Sequence, residues 1–291
     1  MNYLFHIIIM INIYIILTVS ANLLVGVANL LSIGQAAFYG IGSYIAAFAL
    51  ITLKLPLIPT ILLAMFVTAF ISFPIAYVTL RLEGDYFVLA TLGFQLIIYA
   101  LLFNWVSLTG GHHGIRGITP PRLFGIVEIS GITPYFIVSS IIALLVAVIF
   151  YNLIYSPYGR ALKALREDEI ALVSLGRNIT ALKIWAFVIS SAFTGIAGFL
   201  YASYGRYIDP TSFNLDRALF ILSAVLIGGI GNVKGPIVGA IFVVILPEVL
   251  SFVGFSDTIA ANLRMIIYGL ILIVLMRFRP HGLAGEQKYK L

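Results

Sequence analysis

Residues 156–183 read SPYGRALKALREDEIALVSLGRNITALK, and on either side the chain turns apolar, with YFIVSSIIALLVAVIFYNLIY over 135–155 and a second run over 184–202. That contrast decides the fold class. Hydrophobic residues make up 62% of the 291 and charged residues 10%, whereas soluble domains carry roughly 25% charged residues. No soluble core needs so much apolar surface, so the composition is that of an integral membrane protein. Segments of about 20 apolar residues cross the hydrocarbon layer, and candidates run over 3–24, 38–53, 58–80, 86–105, 135–155, 184–202, 218–230, 237–253 and 262–276. A barrel would need apolar and polar residues alternating with period 2, and runs such as 7–9 and 141–148 have no alternation. The expected fold is all-α, a polytopic transmembrane helical bundle of about eight or nine spans in one domain over 1–291. Two of the spans, 38–53 and 218–230, are short and are expected to be tilted, broken or re-entrant.

The polar stretch has local grammar of its own. Ser156 can accept an orphan N–H and Pro157 is pre-set for the first helical position, so a helix starts there. Arg160, Lys163 and Arg166 come before Glu167, Asp168 and Glu169, an order that suits two short helices meeting near Arg166. One continuous helix with Lys163 and Glu167 paired at i,i+4 fits nearly as well. Leu162, Leu165 and Leu172 recur at helical spacing, Leu175 extends the patch, and Gly176 suits the residue just past a helix end. The stretch is an amphipathic element outside the bilayer and the chain's one candidate for a docking site; the plainer reading is a solvated interfacial helix.

Charge sets the sidedness. If 156–183 faces the cytoplasm, Arg81, Arg160, Lys163, Arg166, Arg177, Lys183, Lys234, Arg277, Arg279, Lys288 and Lys290 lie inside. Lys54, Arg116, Arg122, Arg206, Arg217 and Arg264 then lie outside, a division of 11 against 6 that accounts for all 17. The excess of positive charge on cytoplasmic loops favours this orientation. Met1 is then outside if the three early spans all cross, and inside if residues 25–37 make a further partial passage. The run from Tyr3 to Val19 has no basic residue before it and no small-residue cleavage site after it, and reads as a retained span. A net charge of +6 spread over short loops is a topology signal, and nucleic acid is not an expected partner.

Two loops on the expected outer side have character. Residues 106–134 contain GGHHGIRG, Pro120-Pro121 and Pro134, the composition of an irregular, ordered cap. His112 and His113 are adjacent, which on an extended chain points them to opposite sides, and no carboxylate or third histidine is near, so no metal site is expected. Residues 203–217, with Arg206, Asp209, Asp216 and Arg217 around Pro210, read as solvated surface. Within the spans, Glu248 is the one acid, near an outer end where Arg264 or water can meet it. Asn22, Asn29, Gln35, Gln95 and Asn104 are the uncharged polar groups suited to a pathway or to helix contacts, and Gly40-x-Gly42 and Gly195-x-x-Gly198 allow close helix packing. Two apolar stretches break and restart: Ser32 to Gln35 forms a candidate capping box before Phe38, and Asn232 to Pro236 a polar cap with proline at the first position before Ile237. If the chain has two related halves these are equivalent points, and Ser32, Gln35, Asn232 and Gly235 are the pathway candidates. The alternative is that both are interfacial loops.

No catalytic set emerges. There are no cysteines, the GGIGNVKGP stretch lacks the Lys-Ser/Thr pair of a phosphate-binding loop, and no H-E-x-x-H occurs. The chain is not expected to be an enzyme, and ATP, if it drives the protein, binds elsewhere.

The stretches NLLSIGQAAFYGIGSY, LRLEGDYFVLATLGF, SLTGGHHGIRGI, SPYGRALKALREDEIALVSLGRN, GGIGNVKGPIVGA and RFRPHGL resemble, in this order and over nearly the whole chain, the LivM-type permease of branched-chain amino acid ABC importers. The resemblance implies a permease in the inner, plasma membrane that works with a LivH-like second permease, two cytosolic ABC ATPases carrying ATP and Mg, and an extracytoplasmic substrate-binding protein, with no cofactor on this chain. It also implies that 156–183 is the cytoplasmic coupling segment, with Glu169, Ala171 and Gly176 at the matched positions; Arg160, Leu162 and Leu165 of the amphipathic stretch join them as candidate ATPase-coupling residues. Ile170 stands where an alanine is usual in that segment, and Gly176 comes one residue late. Urea and short-amide permeases resemble the chain too, so branched-chain amino acids are the first substrate class and urea or amides the alternative. An ion-coupled secondary transporter is the more distant one, with Glu248 its sole and poorly placed acid.

Overall fold

A computed structural model describes residues 2–82, 84–123 and 127–251 and, beyond them, residues 263, 266–267, 269–270, 273, 277 and 282–284. Helices dominate: α1 (Asn2–Asn22), running on into a π turn (Leu23–Val27), α2 (Gln35–Ile51), α3 (Leu57–Thr79), α4 (Asp85–Asn104), the single turn α5 (Val106–Thr109), α6 (Ile132–Tyr155), α7 (Pro157–Glu167), α8 (Glu169–Ser174), α9 (Ile179–Gly205), α10 (Leu215–Gly228) and α11 (Lys234–Ser251). Six stretches among the described residues are long and apolar enough to cross a membrane: Asn2–Val27, Leu57–Thr79, Asp85–Asn104, Ile132–Tyr155, Ile179–Gly205 and Pro210–Gly228. The expected span over 262–276 lies mostly outside the described residues.

Caps explain where the helices begin. Ser156 accepts from the Gly159 amide at 3.2 Å, Asp168 from Ala171 at 3.0 Å, Asn178 from Ala181 at 3.0 Å and Asn214 from Arg217 at 3.0 Å. Each side chain satisfies one orphan donor of the helix that follows. Asp168 therefore decides between the two readings of the polar stretch: α7 ends and α8 starts at it. Asn178 starts α9 five residues ahead of the apolar run at Ile184.

Side-chain contacts orient the bundle. His6 Nδ1 lies 2.6 Å from the Tyr204 hydroxyl, and Tyr135 bonds the Leu200 carbonyl and Ser203, so the starts of α1 and α6 and the end of α9 share one end of the bundle. Arg166 reaches Gly26 and Tyr158 reaches Leu182, which puts α7 and α8 at the other. Residues 28–34 turn back there without a further passage, so α1 begins at the end opposite the polar segment. At the α1 end, β1 (Ile115–Arg116) pairs antiparallel with β4 (Tyr207–Ile208), and β2 (Arg122–Leu123) with β3 (Val127–Glu128).

α1, α2 and α9 occupy the centre; α3 and α4 flank the α2 and α9 side, and α6, α10 and α11 pack on α1. The centre is close because glycines allow it. A Cβ on Gly42 would lie 2.5 Å from the Gly195 Cα, and one on Gly198 2.6 Å from the Ser43 nitrogen. The two backbones meet at the small-residue runs, where Ser43 also donates to the Gly198 carbonyl at 3.0 Å.

Candidate functional site

A polar seam follows α1 through the middle of the bundle. Tyr14, Thr18 and Asn22 recur every fourth residue and so share a face, which meets α10, α11 and the turn between them. Thr18 donates to the Pro236 carbonyl at 2.9 Å. Asn22 donates to the Asn232 carbonyl at 2.8 Å and accepts from the Gly231 amide at 3.3 Å. Tyr14 is bonded by the Arg217 guanidinium. Half a turn away, Ser20 opens a second cluster. Its hydroxyl is 3.2 Å from that of Thr194, its carbonyl accepts from Ser190 at 2.6 Å, and Gln35 closes the ring, donating to Ser190 at 2.9 Å and accepting from Thr194 at 2.8 Å.

Both breaks border this seam. At the first, α1 loosens into the π turn, and the Gly26 carbonyl, an orphan of a helix C-terminus, accepts from the Arg166 guanidinium at 2.7 Å, a cation at the end that favours one. The expected capping box is not formed. Ser32 accepts from the Gly34 amide at 3.3 Å, Gly34 caps α2 without a side chain, and the Gln35 amide turns to α9, where two hydroxyls offer both a donor and an acceptor. At the second break, Asn232 accepts from Gly235 at 2.8 Å and donates to the Ala284 carbonyl at 2.7 Å. α11 starts at Lys234, so Pro236 sits at its third position and not its first. Gly235 is required by packing, since a Cβ there would lie 2.0 Å from the Gly229 carbonyl. The two breaks are in direct contact through Asn22. They bring Asn232 and Gly235 to one side of α1 and Gln35 to the other, with Ser32 buried nearby.

The segment 156–183 divides its apolar residues between two faces. Leu162, Leu165 and Leu172 are buried against the bundle, whereas Ile170, Val173 and Leu175 are exposed at 79%, 57% and 78%. The leucine pattern at helical spacing therefore marks the inward face, which corrects its reading as a docking patch, because an amphipathic helix lies on its own protein before it meets another. Arg160, Glu169, Ala171 and Gly176 are exposed. Arg160 donates to the Tyr155 carbonyl at 3.1 Å, and Glu169 pairs with Lys183 at 2.7 Å. Gly176 has φ +73, and the bonds Gly176 N to Val173 O and Arg177 N to Leu172 O complete a left-handed helix stop.

At the α1 end the expectations need two corrections. Residues 203–217 are not merely solvated surface: Ile208, Pro210 and Phe213 are buried, and Gln95 donates to the Phe213 carbonyl at 2.8 Å. There Asp209 accepts from the Ser212 and Thr211 hydroxyls; burial alone would raise its pKa, but these bonds outweigh it and hold the carboxyl below its ordinary value. His112 and His113 sit on a 3-10 turn with ring centroids 3.7 Å apart, and do not point to opposite sides. Glu248 accepts from the Tyr3 hydroxyl near the α1 start. Asn29 and Asn104 are exposed. Sequence reasoning missed Arg217, Ser20, Ser190 and Thr194 as site residues; for the last two, hydroxyls one turn apart in the middle of α9 were the available signal.

A family model described as "Branched-chain amino acid transport system / permease component" matches residues 3–276. The high-affinity branched-chain amino acid transport system permease protein LivM of Salmonella typhimurium is 35% identical over 93% of this chain and 67% of its own length. The LivM of Escherichia coli K12 is 34% identical over the same shares. The LivH permease of Salmonella typhimurium is 25% identical over 94% of this chain and 91% of its own length. No solved structure matches the chain.

Proposed function

The chain belongs to the branched-chain amino acid transport system permease family, and from that premise we propose that it passes branched-chain amino acids into the cytoplasm as one of two permeases of an ABC importer. It is a multi-pass membrane protein and a transport subunit, not an enzyme. The observation that carries the reading is the match over residues 3–276, which spans every helix from α1 to α11. The partners in this reading are a LivH-like permease, two cytosolic ATPases that hold ATP and Mg, and an extracytoplasmic binding protein.

In this reading 156–183 faces the cytoplasm and docks the ATPase. Ile170, Val173 and Leu175 supply its apolar contact, with Arg160, Glu169, Ala171 and Gly176 around them, while Leu162 and Leu165 seat the segment on the bundle. The exposure of three large apolar side chains on a charged segment supports this. Arg166 on Gly26, and Asn22 on Gly231 and Asn232, then form a line from the docking surface to both helix breaks. Ser32, Gln35, Asn232 and Gly235 mark the breaks as the narrow part of the pathway. The side chains of Ser32, Gln35 and Asn232 are closed on the chain itself, so passage requires the seam to part.

The test is ATP hydrolysis by the reconstituted complex with its binding protein. Leucine, isoleucine or valine should stimulate it. Stimulation by urea or a short amide alone would overturn the substrate class, and hydrolysis indifferent to all of them would overturn the transport reading.

A further inference from the structure

The α1 end of the seam holds a part-buried cation. Arg217 lies in the first turn of α10, within an apolar stretch long enough to span a membrane. Its side chain turns inward. One Nη donates to the Tyr14 hydroxyl, and Nε to the Ser212 carbonyl at 3.3 Å. Tyr14 reaches it from α1, and Ser212, which accepts from its Nε, links it to Tyr201 of α9 and through that ring to Tyr39 of α2. The Tyr39 and Tyr201 rings are 5.5 Å apart, the Tyr201 hydroxyl is 2.9 Å from that of Ser212, and Tyr14 packs edge-on against Phe220.

Among the described residues no carboxylate pairs with Arg217. The two acids nearest in sequence are turned to other partners, Asp209 to the Thr211 and Ser212 hydroxyls and Asp216 to the Asn214 amide at 3.1 Å. A cation within a membrane span is expensive and ordinarily paired. A guanidinium carries five donors in a planar fork that matches a carboxylate, and Tyr14 and Ser212 engage only one Nη and Nε.

We propose that Arg217, with the hydroxyls of Tyr14 and Tyr201, is a binding site for the carboxylate of the transported solute, taken up before the solute reaches the Gln35 cluster. This rests on the amino-acid reading above and adds the group by which the permease itself holds the substrate. Gln35 and Tyr39 are four residues apart on one face of α2, so a solute leaving the arginine meets the seam one turn on.

The experiment is equilibrium binding of labelled leucine to the purified permease complex in nanodiscs without binding protein. The competitors are 4-methylpentanoate, which keeps the carboxylate and lacks the amine, and leucinamide, which keeps the amine and lacks the carboxylate. Leucine and 4-methylpentanoate should compete and leucinamide should not, and Arg217→Met should weaken leucine binding about tenfold or more. Leucinamide competing as well as leucine in the unaltered complex overturns the site, a result that needs no variant to fold. So does an assembled Arg217→Met complex that binds leucine as tightly as the unaltered one. Saturable binding of 4-methylpentanoate that Arg217→Met abolishes, without any binding of leucine, isoleucine or valine, supports the anion site and overturns the amino-acid reading instead.

Discussion

α1 and α6 run alongside each other, Phe5 against Phe136 and Asn12 bonded to Ser139 and Ser140, yet they use their side chains differently. α6 buries Tyr135, Ser139, Ala143, Val146, Phe150 and Ile154, a stripe one residue wide, and turns Ile141, Leu144, Leu145 and Val148 outward. α1 buries every residue from Ile16 to Asn22. Both are apolar helices of similar length. The difference teaches that hydropathy does not distinguish the centre of a membrane bundle from its rim, because an apolar side chain is as well solvated by lipid as by protein. Polar groups do distinguish them, since in that setting each needs a partner. α3 makes the same point in reverse: Thr60, Ala64, Thr68, Ser72 and Ala76 face inward and Leu62, Phe66, Phe70, Phe73 and Tyr77 outward.

The sharpest way to break the comparison is at the contact of α2 with α9. Gly42→Leu should cost on the order of 3 kcal/mol or more, because the new side chain meets the Gly195 backbone, and little folded protein should survive detergent size-exclusion chromatography. Phe70→Ala and Leu144→Ala, on the rim, should shift stability by no more than about 0.5 kcal/mol. A rim variant that falls as far as Gly42→Leu would erase the distinction between centre and rim.

Asn22→Leu comes next. It leaves the Gly231 amide and the Asn232 carbonyl without their side-chain partner, for about 2–3 kcal/mol, and the thermal midpoint of the purified chain should drop accordingly. Asn104→Leu, whose amide bonds only its own helix, should leave the midpoint in place. Equal midpoints for the two would show that the seam is not what ties the breaks together.

The polar segment repeats the inside and outside contrast on a smaller scale. Ile170→Asp should leave the permease folded and weaken ATPase co-purification about tenfold, from the loss of roughly 1.5–3 kcal/mol of apolar contact. Leu165→Asp should instead destabilise the permease itself. If Ile170→Asp retains the ATPase at the unaltered level with normal uptake, the docking face is elsewhere.

The smallest effect on stability is expected at Gln35. In Gln35→Leu, Ser190 keeps the Ser20 carbonyl and Thr194 keeps the Ser190 carbonyl, so the change should cost on the order of 1 kcal/mol. The complex should assemble with basal ATPase intact and uptake should fall severalfold. Unchanged uptake would make Gln35 a tie between helices and remove it from the pathway.

The amino-acid sequence by itself determined the class of the molecule, six of the spans, the start of α7 and the stop at Gly176. These depend on composition or on residues three to five apart, and such interactions form wherever the chain folds locally. That α2 and α9 each have a site of close approach was legible for a related reason, since small residues announce close backbones whatever the partner; that the two sites meet each other was not. Tertiary structure alone decided the rest. The leucines of the polar segment face inward because the bundle end lies beneath them. Arg217, in the first turn of α10, turns toward Tyr14 of α1, 203 residues away. The two breaks touch through Asn22 and Asn232, 210 residues apart, and Arg166 closes on Gly26 across 140. A buried hydrogen bond needs a partner but not a near one, and which distant group supplies it is settled only when the helices have packed.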